Sequence, residues 1–176
     1  MLSDCAFRAQ LALLEQRVLF DYWHEIADGR AIPARADFDP LKLPHLLPHL
    51  GLIDLRDGFD RGHFRLAGTR LRDIYGREIT GLCLSEVFTG RRAAPWHTIY
   101  SRIATESVCA QGVVRGPTDG RDHVVLSWLR LPLSDDGVRV DRILCHDVGA
   151  AESDAEAASE FTASYTGLQE PAAARA

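Results

Sequence analysis

The side chains of this sequence that could do chemistry are its seven histidines, four cysteines and scattered acids. His45 and His49 stand four apart, the spacing that sets two imidazoles over one metal on a helix. Pro48 lies between them and breaks such a helix, so the two do not converge on one ion. Cys145, His146 and Asp147 put a thiol, an imidazole and a carboxylate in three consecutive residues. They fall in a strand-like run, where neighbours point to opposite faces, so Cys145 and His146 do not share a metal there. A single axial histidine, His97 or His123, stays open as a haem or metal ligand. No CxxCH attachment motif is present. GxSxG, HExxH, GxGxxG and the GxxxxGKS/T phosphate loop are absent too. Ser127 and the histidines supply a nucleophile and a base only as most chains do. A small ligand-binding enzyme, or a haem or metal sensor using a pocket histidine, is therefore the alternative reading.

Composition narrows the classes. The chain has 176 residues, enough for one domain with a sizeable core. Its 46% hydrophobic and 26% charged residues are ordinary for a globular protein. No run of about 18 apolar residues predicts a membrane span, and the first ten residues lack a secretory pattern. Cysteines 5, 83, 109 and 145 show no CxxC spacing, which fits reduced thiols in a cytoplasmic protein. The net charge of -5 argues against a nucleic-acid surface. Arg70, Arg72 and Arg77 cluster, as do Arg91 and Arg92, but Asp73, Glu78 and Glu86 interleave with them, as on a solvated face. Lys42 is the only lysine, a bias that a GC-rich genome explains.

The elements that must position these residues follow from periodicity. Residues 6–28 read as one amphipathic helix with Leu11, Leu14, Val18, Tyr22 and Ile26 in a stripe, stopped at Asp28-Gly29. Leu19, Phe20 and Trp23 widen its apolar face. That face fits either the chain's own core or a dimer interface. Residues 31–50 carry four prolines and read as a wrapped connector. Strands are expected at 50–56 and 63–69 across a polar turn. Short helices follow at 71–75 and 82–88. A longer helix covers about 91–107, with Pro95 drawing its start toward Ala94. Strands at 108–116, 123–133 and 138–148 complete the order. Apolar parity changes between Val140 and Ile143, which predicts a bulge or a strand buried on both faces. After Gly149 the composition predicts a disordered tail over 150–176, with Phe161, Tyr165 and Leu168 as a short docking segment. The sum is an α+β fold: a five-stranded antiparallel sheet with helices on one face and an added N-terminal amphipathic helix. As domains, this gives the helix at 1–29, the sheet domain at 30–149 and the tail at 150–176.

Several short motifs in this order carry a resemblance. They are Trp23, then Pro33, Arg35, Asp37, Asp39 and Pro40, then Leu47-Pro48. Phe64-Arg65-Leu66-Ala67-Gly68-Thr69 comes next, followed by Tyr75-Gly76, Glu78, Thr80-Gly81 and Leu131-Pro132-Leu133-Ser134-Asp135-Asp136-Gly137. Together they resemble a PAS domain, and more narrowly the stand-alone bacterial PAS proteins found mainly in alphaproteobacteria. The resemblance covers about residues 18–148. The glycines suit turns and close backbone approach. Arg65, expected on the strand face opposite Phe64 and Leu66, is placed to fork onto Asp37 or Asp54.

The resemblance implies a sensory or signalling protein that works through protein–protein contacts, with or without a small molecule between sheet and helices. The implied pocket is lined by Leu66, Leu71, Ile74, Phe88, Tyr100, Ile103, Leu126 and Trp128. The competing reading is a filled core made of the same residues. The implied partners are another protein or a second copy held through the N-terminal helix. The resemblance names no cofactor.

Overall fold

Three long strands form the spine of the molecule: β3 (Val108–Arg115), β4 (Val124–Leu133) and β5 (Arg142–Ala151). A computed structural model describes residues 2–151 and 161–167. In it β1 (Leu50–Asp54), β2 (His63–Ala67) and β6 (Ser164–Gly167) extend the spine to six strands, in the order β2-β1-β5-β4-β3-β6. All the strand pairings are antiparallel. The sixth strand corrects the expected five. Its residues fall in the stretch expected to be disordered, and Ala150 and Ala151 belong to β5. Phe161 bridges to Val114 and packs 5.5 Å from the Trp96 ring, so aromatic contact holds this segment to the sheet edge. Leu168 and the rest of the expected tail lie outside the described residues.

Helices cover both faces of the sheet, where one was expected. On the inner face sit α3 (Leu71–Tyr75), α4 (Leu84–Val87) and α5 (Gly90–Glu106). On the outer face sit α1 (Asp4–Gln10) and α2 (Leu14–Ala27), separate helices in place of the single one expected. Leu11 turns extended and its carbonyl accepts from Arg17 Nε at 2.6 Å. The break lets Phe7 and Leu11 reach the sheet beside Leu19, Phe20 and Trp23, while Leu14 is left 69% exposed. The apolar face that suggested a dimer interface is therefore covered by the chain's own strands, through Cys109, Leu129, Leu131, Leu133 and Leu144.

The connector is pinned at both ends. Arg35 N–H donates to the Ser134 carbonyl at 2.8 Å, and Ser134 N–H returns a bond to Pro33 at 3.1 Å. The Trp23 indole N–H donates to the Pro132 carbonyl at 2.8 Å. Tyr22 receives the Asp39 N–H at 3.0 Å. Gly68 lies where a Cβ would come within 2.3 Å of the Leu47 carbonyl oxygen, so no larger residue fits there without moving the connector. These contacts explain why Trp23, Pro33, Arg35 and Leu131 to Ser134 stand out in sequence: they clamp the outer layer to the sheet.

A bulge between β1 and β2 resets the inner edge. Leu52 pairs with Leu66 and Ile53 with Phe64, which leaves Arg65 as the extra residue. Phe64 then faces the inner core and Leu66 the outer face, where it is 57% exposed. The simple alternation that put both on one face is overturned here. β5 starts only at Arg142, so Val140 belongs to the preceding turn. The strand is buried on both sides, with Ile143 and Cys145 inward and Leu144 outward. The start of α5 at Gly90 precedes expectation by about a turn. Pro95 forgoes only one helical N–H, and the end is held by Thr89, which donates to Asp119 at 3.0 Å.

Candidate functional site

The middle of β4 holds an arginine in an otherwise apolar run, and β5 places Asp147 near it on the inner face. Arg130 and Asp147 are both fully buried. They form a two-pronged ion pair, with contacts of 2.6 and 3.3 Å. Tyr75, from α3, donates its hydroxyl to Asp147 Oδ2 at 2.9 Å. Arg130 Nε donates to the Tyr100 hydroxyl, on α5, at 3.0 Å. The guanidinium also lies 5.2 Å from the Trp96 ring and 5.7 Å from those of Tyr100 and Trp128. Two helices and two strands thus meet at one charge pair.

The electrostatics close the cluster. Burial works against the Arg130 charge most strongly, but Asp147 together with Cys145, Tyr100 and Tyr75 offsets it and holds the guanidinium ionised. Burial pushes the Tyr75 hydroxyl well above its ordinary range, and Asp147 adds to the push. Burial raises Tyr100 likewise. The neighbouring Cys145 thiol is pushed up to about 12 by burial, so it is no nucleophile at neutral pH. The cluster offers hydrogen bonds between helices and sheet rather than a free base.

Two clefts reach this cluster, one at Tyr100 and one at Tyr75, and Thr89 lines both. The first is a cavity of about 610 Å³ walled by Phe88, Trp96 and Tyr100, with Phe59, Ala93 and His97 at its rim. Its aromatic rings pack tightly: Phe88 to Trp96 is 4.8 Å and Trp96 to Tyr100 is 5.7 Å. The second is a polar cleft of about 440 Å³ lined by Tyr75, Arg77, Thr118 and Arg121. Arg121 there donates from Nε to the Ile74 carbonyl at 3.0 Å and caps α3 together with Gly76, whose φ is 74°.

The expected pocket residues divide among three places. Phe88 and Tyr100 line the 610 Å³ cavity. Leu71, Ile74, Ile103, Leu126 and Trp128 are buried in the inner core, which they fill. Leu66 is on the other face. The cavity opens sideways between α4, the first half of α5 and the Phe59–Arg61 turn, rather than between sheet and helices. The motif residues divide as well. Trp23, Arg35, Asp37, Pro40 and Gly68 clamp or flank the connector, Thr69 starts the turn into α3, and Gly81 sits at φ 84° before α4. The expected Arg65 fork does not form: Asp37 pairs with Arg30, and Asp54 with Arg56 at 2.6 Å.

Of the histidines, His97 lies edge-on to Phe59 at 4.9 Å at the cavity rim, and His123 is exposed and away from it. Cys145 and His146 do face opposite sides of the sheet. Among the described residues no three His, Cys, Asp or Glu side chains gather as a metal site. Sequence reasoning passed over Arg130, although an arginine inside the run from Val124 to Leu133 was the available signal.

This arrangement defines a class: a single antiparallel sheet with helices on both faces and a buried polar cluster on the inner one. A family model described as a PAS domain matches residues 13–146. The chain belongs to the PAS domain family. No curated protein and no solved structure matches it. Membership supports a sensory or signalling role in general. Among the described residues no helix is long and apolar enough to cross a membrane.

Proposed function

We propose that the chain is a cytoplasmic sensory or signalling domain that acts through a protein partner and takes a small, largely apolar molecule in the 610 Å³ cavity. The observation that carries this reading is Tyr100. It walls the cavity and accepts the hydrogen bond from buried Arg130. An occupant that displaces the Tyr100 ring also strains the Arg130–Asp147 pair and, through Tyr75, helix α3. A change at the cavity thus reaches the sheet and the polar cleft through direct contacts. The aromatic walls favour a flat apolar ligand, and a cavity of this size suits a drug-sized molecule.

A homodimer through the N-terminal helices would have only their outward face to use. Leu14 is the large apolar side chain most exposed there, so we place the partner contact elsewhere.

Native mass spectrometry of protein purified from its own cells tests the ligand. The expected result is a protein mass with a small-molecule adduct that Ala93→Trp, which fills the cavity mouth, removes without lowering the melting temperature. Identical adduct-free spectra for both proteins would sink the ligand reading.

A further inference from the structure

The outer face of the sheet is incompletely covered at its β2 end. Helices α1 and α2 lie over β3, β4 and β5, and the connector lies beside β1. Between the connector and β2 runs an apolar groove of about 200 Å³, floored by Phe38, Leu50, Leu52 and Leu144. Leu47 and Leu66 form its lips and are 37% and 57% exposed. Leu41, in the Pro40–Lys42 turn beside it, is 77% exposed. Three of the five large hydrophobic side chains that stand exposed in the described chain are at this one place. Scattered apolar residues need no explanation, but a cluster around a groove marks a contact site.

The charges around the groove are mostly basic. Arg35 lines it, with its guanidinium 6.0 Å from the Phe38 ring and a hydrogen bond to the Phe38 carbonyl at 3.3 Å. Arg65 is the exposed extra residue of the bulge, next to Leu66, and makes no hydrogen bond or ion pair among the described residues. Lys42 rests 5.4 Å over the Tyr22 ring. Of the nearby acids, Asp37 is paired with Arg30, whereas Asp39 accepts the Leu41 N–H at 2.9 Å and keeps its charge, so Arg35, Arg65 and Lys42 outnumber it. In a chain of net charge -5 this is a local positive rim on an apolar slot.

We propose that this groove docks an acidic, amphipathic segment of a partner protein, its apolar side chains in the slot and its carboxylates on Arg35, Arg65 and Lys42. A second copy of the chain is the poorer occupant. A two-fold dimer places the same patch on both sides, and here it would set arginine against arginine. Arginine at the rim of an apolar core is the usual composition of a specific interface. The proposal rests on the partner reading above and names where the partner binds.

Photo-cross-linking in the protein's own cells tests it. Benzoylphenylalanine is placed singly at Leu66 and Leu41, with Val138, Leu14 and Ala93 as controls. Leu66, Leu41, Val138 and Leu14 are exposed, so these replacements leave the fold intact. The expected result is one protein captured from 66 and 41 and not from 138, through a peptide rich in Asp or Glu between apolar residues. Arg65→Glu breaks no hydrogen bond or ion pair among the described residues and should lower that capture about tenfold. Adding Arg35→Glu should lower it further. A cross-link to a second copy, a captured peptide without acids, or equal capture from 138 would overturn the proposal. Capture from 14 or 93 but not from 66 would remove this surface and leave the partner reading standing. No adduct from any of the five positions would remove both.

Discussion

His146 and Asp147 are neighbours on β5, both fully buried, and their surroundings could hardly differ more. Asp147 points inward, and its carboxylate takes contacts from Arg130 and Tyr75. His146 points outward, under the N-terminal layer, and neither of its ring nitrogens has a partner among the described residues. The difference lies in what each face brings. The inner face receives polar side chains from α3, α5 and β4, whereas the outer face is lined by leucines and phenylalanines. A charge is tolerable on the first only because it is paired, and on the second no carboxylate pairs with His146 among the described residues. So the inner face keeps an ion pair and the outer face keeps a neutral imidazole. Each can be disturbed separately.

The largest effect should come from halving the ion pair. Arg130→Met leaves Asp147 buried without its counter-charge, which typically costs about 3–5 kcal/mol. Urea unfolding should show a loss of that order. The double variant Arg130→Met, Asp147→Leu removes both charges and should recover much of it, since an apolar pair of similar volume is often no worse. If the single and the double lose equally, the pair is not what holds the inner face.

The outer face should answer to pH. Burial lowers the His146 pKa from 6.5 to about 4, and the Asp147 charge opposes that only in part. His49, whose ring lies 5.9 Å away, deepens the depression, Glu15 opposes it, and Arg130 adds a small lowering. The native protein therefore keeps this imidazole neutral while the unfolded chain protonates below about 6.5. Between pH 6.5 and 4 the unfolded state binds more protons, so stability falls as pH falls through that window. The loss attributable to His146 is at most roughly 3 kcal/mol. Unfolding free energies at pH 7 and pH 4.5 should converge in His146→Leu by up to that amount relative to the parent. An unchanged pH slope would mean that solvent reaches the ring.

The same contrast governs what could be read from the residues alone. Binary patterning and turn chemistry placed β1 through β5, α3 and the wrapped connector, because each rests on local rules. Cys145 and His146 were separable by strand parity alone. Three features were not legible, each for a physical reason. The bulge at Arg65 turns Leu66 to the outer face, and because the residue turned outward is itself apolar, Phe64-Arg65-Leu66 still reads as plain alternation. The break after Gln10 depends on where Phe7 and Leu11 find room on the sheet, a tertiary fact that overrides helical periodicity. The partner of Asp147 stands 17 positions away on a neighbouring strand, so Arg130 was visible only as an oddity in an apolar run. The cavity follows from these. With the inner core filled by Trp96, Trp128 and their neighbours, the space that remains lies beside the helices, where no periodicity points.

The smallest of these effects compares one tyrosine from each face. Tyr75 donates to a charged, buried acceptor at 2.9 Å, and Tyr22 accepts the neutral Asp39 N–H at 3.0 Å. Hydrogen bonds to charged groups contribute about 1.5–3 kcal/mol, and neutral ones about 0.5–1.5 kcal/mol. Tyr75→Phe also leaves Asp147 Oδ2 with only the longer 3.3 Å contact from Arg130. Urea unfolding at pH 7 should therefore rank Tyr75→Phe as the costlier by about 1 kcal/mol. Both rings keep their packing in phenylalanine, so the ranking isolates the hydroxyls. If Tyr22→Phe proved the costlier, the clamp between the connector and α2 would matter more than the cluster, and the inner face would lose its place as the more strongly tied of the two.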